Sequence, residues 1–199
     1  MAAQVAKFAT TRVIHHGPGA LERLDDEVHR LGARRVAVLC DPGVARAGIA
    51  DRVVAALTVD AALFTEVAPE PPYQTVARYV EFLRESGAEL VIGVGGGSSM
   101  DSAKMSAVMM GNTGTVADYF GANRVPRPGL PIIAIPTTSG TGSEVSPAAV
   151  FVDSADGAKK GVRSDFMLPE VAIVDPLLTL DLPPALTAGT GLDALTHAI

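Results

Sequence analysis

The 199-residue chain has no tryptophan, one cysteine and four histidines, and only 5% of its residues are aromatic. A single thiol excludes an internal disulfide framework. Cys40 ends the apolar run Val36-Ala37-Val38-Leu39-Cys40 and reads as a buried, inert thiol rather than a nucleophile. No stretch approaches the ~18 consecutive apolar residues of a membrane-spanning helix, and the first ten residues lack the apolar core of a secretory signal, so a cytoplasmic protein is expected. Positive charge is in deficit: 16 Lys and Arg against 22 Asp and Glu leave a net charge of −6, which argues against nucleic acid or an anionic membrane as partner. Histidine clusters are missing as well. His15 and His16 are adjacent and face opposite sides of a strand, and His29 lies on a charged helix face, so structural or solvent roles are expected for all three.

What is present is 48% hydrophobic sequence, enough to bury the core of one domain or slightly more. Short apolar runs at 36–40, 61–64, 90–94, 132–135, 149–152 and 171–174 read as strands, with a further strand at 7–15. Helical patterns over 20–31, 44–57, 75–86 and 99–110 lie between them, a short helical turn is expected near 116–120, and Lys159-Lys160-Gly161 reads as a basic turn. This alternation predicts an α/β fold with a parallel sheet covered by helices on both faces.

The strand at 90–94 runs into Gly95-Gly96-Gly97-Ser98-Ser99 and then a helix. Three residues without β-carbons let an anion approach the backbone, and the unpaired N–H groups and dipole of the helix start favour a phosphate there; the plainer alternative is a tight turn. The dinucleotide fingerprint G-x-G-x-x-G is only half met, because Gly93 and Gly95 fit but Ser98 holds the third position. Where that fingerprint expects an acidic ribose ligand the chain reads Tyr119-Phe120-Gly121-Ala122-Asn123, with no carboxylate among these five, so the ordinary Rossmann order is disfavoured. Asp41, after the 36–40 strand, is either a helix N-cap or that missing ribose ligand. Pro136-Thr137-Thr138-Ser139-Gly140-Thr141-Gly142-Ser143-Glu144 offers hydroxyls to a sugar, phosphate or carboxamide, or is a solvated loop. Asp193 and His197 are four residues apart on a helix expected to begin near Thr190, spaced to share a cation or to pair with each other. The sequence ends at Ile199 within that helical pattern, which reads as a chain cut short.

Taken together, 95–104, 136–144 and Gly191-Leu192-Asp193-Ala194-Leu195-Thr196-His197-Ala198 resemble the iron-containing (group III) alcohol dehydrogenases along nearly the whole chain. The resemblance implies a dehydroquinate synthase-like architecture: a Rossmann-like dinucleotide-binding domain, here 1–183, then an all-helical metal and substrate domain of which 184–199 is the start. It implies that Gly95, Gly96, Gly97 and Ser98 hold the pyrophosphate, that Thr137, Thr138 and Thr141 line the cofactor, and that Lys160 reaches its ribose. Asp41 matches the position that binds the adenosine ribose and disfavours a 2′-phosphate, so NAD is expected over NADP. Asp101 matches a position near the nicotinamide end. Asp193 and His197 match the first two ligands of Fe²⁺, with Zn²⁺ or another divalent metal as the alternative; the other two are histidines of the helical domain, and no histidine follows 197.

The implied reaction is metal-assisted hydride transfer between a small alcohol and the nicotinamide, with an aldehyde or ketone in reverse, by a homodimer or higher homo-oligomer. This chain alone is expected to bind cofactor at best. Around Pro71-Pro72-Tyr73 the sequence departs from an asparagine between prolines common in the family. The alternatives are a non-catalytic nucleotide-binding module and a maleylacetate reductase-like enzyme of the same fold; the latter typically lacks the aspartate found here at 193.

Overall fold

A computed structural model describes residues 7–199. In chain order the strands are β1 (Val13–His16), β2 (Arg35–Cys40), β3 (Asp60–Phe64), β4 (Leu90–Gly95), β5 (Gly121–Ala122), β6 (Ile132–Pro136), β7 (Ala148–Val152), β8 (Lys159–Arg163) and β9 (Val171–Val174). The helices are α1 (Leu24–Arg30), α2 (Pro42–Arg46), α3 (Ile49–Ala55), α4 (Val76–Glu85), α5 (Gly97–Met109) and α6 (Pro184–Ala198). None of them is long and apolar enough to cross a membrane.

Six strands form one all-parallel sheet in the order β1-β9-β6-β4-β2-β3. Side chains alternate between its faces as a strand requires. Ala37, Leu39, Val91 and Ile132 pack with α4 and α5, whereas Val36, Val38, Cys40, Ile92, Ile133 and Ile173 pack with α1, α2 and α3. Burial on both faces is why these strands read as continuous apolar runs. A three-stranded ribbon, β5-β8-β7, lies on the α5 side, where Ala149, Phe151 and Val162 join the same core cluster as Met105 and Val108.

Several expected boundaries shift. The strand expected over 7–15 is confined to β1. The helix expected over 44–57 is two helices, because Gly48 adopts φ +70° and ends one as the other begins. The final helix starts at Pro184 rather than near Thr190, with proline in its first turn, where a missing N–H costs nothing. Lys159-Lys160-Gly161 is strand rather than turn: it belongs to β8, which pairs antiparallel with β7.

Topology places an opening at one end of the sheet. β2 and β4 are neighbours, yet the helices that follow them leave on opposite faces, α2 and α3 on one and α5 on the other. The carboxyl ends of two such strands cannot be roofed by either connection, and a crevice remains there.

Candidate functional site

Three adjacent strand ends meet at that crevice. In register, Cys40 pairs with Val94 and Gly95 with Pro136, so Asp41 leaves β2 beside Gly95, and Gly96 and Thr137 leave β4 and β6 one residue further on. The N–H of Thr137 continues the ladder by donating to the Gly95 carbonyl at 3.0 Å. The Thr137 side chain is buried, so this threonine helps set the loop's course.

Gly95 has no room for a side chain. Its φ is +139°, and a β-carbon there would lie 2.7 Å from Ser99 Oγ and 3.0 Å from Asp41 Oδ2. Gly96 is the N-cap of α5 and no side chain caps that helix, which leaves its first N–H groups for water or a ligand. The Thr138 and Thr141 side chains stand over the next two glycines: β-carbons at Gly96 and Gly97 would lie 3.5 Å from Thr138 Oγ1 and 3.0 Å from Thr141 Cγ2. The polyglycine joint, the uncapped helix start and two threonines therefore lie together, and of them Gly97, Ser98 and Thr141 line a cleft.

Asp41 satisfies its plainer reading and still turns one carboxylate oxygen to the glycine joint. Its Oδ1 accepts from the N–H groups of Gly43 (2.8 Å) and Val44 (3.1 Å) and caps α2, while Ser99 Oγ donates to Oδ2 at 3.3 Å. Beneath it, burial first and the Asp41 charge second push the Cys40 thiol up to about 11, which leaves it protonated and inert.

Gly97, Ser98 and Asp101 open onto a cleft of about 490 Å³ whose far side carries Ser143, Phe151 and Lys159. Asp101 is tied on three sides: Ser143 Oγ donates to it at 2.5 Å, the Val150 N–H at 2.9 Å, and the Lys104 ammonium lies 3.0 Å away. Lys104 is wholly buried and also donates to the carbonyls of Ser143 (3.0 Å), Ser146 (3.4 Å) and Ala148. Burial pushes its pKa below the usual lysine value, and the Asp101 charge opposes that shift. The pair pins the ribbon wall of the cleft to α5.

Asp193 and His197 line the same cleft from α6, with Nδ1 of the imidazole 3.9 Å from the carboxylate. Donor types and spacing suit a divalent metal, but the donor count does not. Among the described residues no group of three or more His, Cys, Asp or Glu side chains is placed to hold one ion. These residues do not amount to a metal site on their own.

The structure does not bring Lys160 to the cleft lining. Its ammonium pairs with Asp153 (2.6 Å) and Asp156 (3.0 Å), which hold its pKa above the usual value, and it sits 5.9 Å from the Phe120 ring. Neighbouring Lys159 lines the cleft instead and pairs with Glu70, whose own N–H donates to Ser98 Oγ at 3.0 Å. Sequence reasoning gave no site role to Lys159 or Glu70, whereas Ser143 belongs to the loop whose hydroxyls it offered to a ligand. Consecutive residues of a strand point opposite ways, so recognising 159–163 as strand would have allowed only one of the two lysines on the cleft side.

The sequence pattern of the family described as iron-containing alcohol dehydrogenase matches residues 11–176. Long-chain-alcohol dehydrogenase 1 of Geobacillus thermodenitrificans is 46% identical over 98% of this chain and 50% of its own length. Among solved structures, a 1,3-propanediol oxidoreductase superposes with a TM-score of 0.94 at 32% identity, covering 98% of this chain and 52% of that one. A sulfoacetaldehyde reductase from Bifidobacterium kashiwanohense, solved in complex with NAD⁺, superposes with a TM-score of 0.91 at 35% identity, covering 98% and 53%. The chain spans about half the length of the relatives it matches.

Proposed function

The chain belongs to the iron-containing alcohol dehydrogenase family, and from that premise we propose that it is the NAD-binding portion of an alcohol dehydrogenase, with residues 1–183 forming the dinucleotide domain and 184–199 opening a helical one. The observation that carries the reading is a convergence. An uncapped 13-residue helix starts behind three glycines at the switch point of a parallel sheet, and α6 presents Asp193 and His197 to the cleft onto which that helix start opens.

In this reading the first N–H groups of α5 take the cofactor diphosphate, because they lack partners and carry the positive end of the helix dipole. Asp41, held by two backbone N–H groups, turns Oδ2 to the adenosine ribose hydroxyls, and its charge repels a 2′-phosphate, so NAD is preferred to NADP. The Thr138 and Thr141 hydroxyls orient the remainder of the cofactor. Asp101 has its carboxylate oxygens engaged by Ser143, Val150 and Lys104, so it shapes the nicotinamide end rather than moving a proton. When bound, the nicotinamide supplies hydride chemistry at the carbinol carbon of a small alcohol. Asp193 and His197 contribute two donors toward a divalent metal whose set only a longer protein would complete, so the chain alone binds cofactor without turnover.

The test is a calorimetric titration with NADH and NADPH, followed by an alcohol oxidation assay. Saturable NADH binding, weaker NADPH binding and no turnover fit the proposal. Absence of NADH binding refutes it, and NADPH binding as tight as NADH refutes the role given to Asp41.

A further inference from the structure

Glu70 stands out on backbone grounds. Its φ is +45°, a left-handed conformation that costs an ordinary side chain energy and persists only where surrounding contacts impose it. Those contacts are visible. The N–H of Glu70 donates to Ser98 Oγ, the Val152 N–H donates to the Pro71 carbonyl at 3.1 Å, and Pro72 bridges to Val152. The proline-rich segment is thus stitched to α5 on one side and to β7 on the other. In that setting the Glu70 carboxylate pairs with the Lys159 ammonium across the cleft.

This arrangement is electrostatically odd for an anion site. A carboxylate sits beside Gly97 and Ser98, where a diphosphate is to dock, and it occupies the lysine that lines the cleft. A diphosphate entering there meets either an uncompensated carboxylate or a lysine that must first be released. We propose that Glu70 and Lys159 form a latch over the cofactor cleft: Glu70 stands in for the cofactor's anion when the cleft is empty, and the diphosphate displaces it from Lys159 on binding. The proposal rests on the reading that this cleft binds NAD.

Both side chains are largely exposed, so the pair is of the modest, salt-sensitive kind. Releasing Lys159 in advance by Glu70→Gln tightens NADH binding about two- to fivefold at low ionic strength, an exposed ion pair's worth expressed in affinity. The gain shrinks as salt is raised. Glu70→Asn, which tolerates φ +45° better and is too short to reach Lys159, gives the same gain and guards against a glutamine variant that folds poorly.

The deciding experiment is a double-mutant cycle in NADH titrations. Lys159→Met weakens binding, and in that background Glu70→Gln brings no further gain, because there is no lysine to free. Wild-type binding that neither Glu70 variant changes overturns the latch and leaves the NAD reading standing. A gain from Glu70→Gln that survives in Lys159→Met shows plain repulsion and also overturns it. No NADH binding by the wild type or by either Glu70 variant overturns both proposals.

Discussion

Alanine at Gly95 and at Gly96, one residue apart, should fail in different ways. At Gly95 the new methyl would lie 2.9 Å from Ser99 Cβ and 3.0 Å from Asp41 Oδ2, and the backbone would keep φ +139°. Overpacking of this kind costs about 1–3 kcal/mol, and holding a β-carbon in that backbone region costs a similar amount. Partial relief by Ser99 brings the sum to about 3 kcal/mol, a melting-temperature drop of roughly 6–12 °C for a chain this size. At Gly96 φ is −81° and the methyl meets only Thr138, at 3.5 Å and 3.7 Å. Alanine is a poorer N-cap than glycine, a loss of under about 1 kcal/mol. That methyl nevertheless stands between the start of α5 and Thr138, where the diphosphate is to lie, so NADH affinity falls at least about tenfold, or 1.4 kcal/mol. Urea melts give the first quantity and calorimetry the second. Gly96→Ala binding NADH as the wild type does would remove the diphosphate from this joint, and Gly95→Ala as stable as Gly96→Ala would refute the packing argument.

Three further outcomes are expected. Asp41→Ala loses the cap of α2, about 1 kcal/mol in a denaturant melt, and also narrows the preference for NADH over NADPH in parallel titrations. Lys104→Met strands the partly buried Asp101 carboxylate and three carbonyls, destabilising by about 3–5 kcal/mol, and adding Asp101→Asn recovers part of the loss in the same melts. Burial alone would raise the Glu27 carboxyl, but hydrogen bonds from His15 (2.7 Å) and Arg30 (2.5 Å) outweigh it and hold the group below its usual 4.5. A carboxyl depressed in the folded state contributes stability that is complete above that value and is lost as pH falls through the folded one. Glu27→Gln should therefore flatten the acid limb of stability against pH below 4.5 and leave its slope above 4.5 unchanged.

The sheet was legible in the sequence because burial on both faces writes each central strand as an unbroken apolar run, as in 36–40, 90–94 and 132–135. β8 was not, since only Val162 of its five residues is buried, and its lysines and glycine carry the composition of a turn. Gly48 was hidden by apolar periodicity on both its sides, which continues in register across a break made by one dihedral angle. Glu70 was passed over because its position depends on a fold-back onto Ser98 and Val152, contacts distant in the chain that local pattern does not encode. The glycine joint and Asp41 were readable because each follows directly from the end of a recognisable strand.

No residue of α6 is buried, and Leu186, Leu192 and Leu195 are more than half exposed. Fifteen residues are close to the shortest length at which a helix in water sustains itself without a packed face. Its amides should therefore exchange with deuterium through local opening, well before those of β2 or β4, whose protection follows the melting of the whole sheet. The two metal-type donors would then ride on the part of the molecule that opens first, while the glycine joint belongs to the part that opens last.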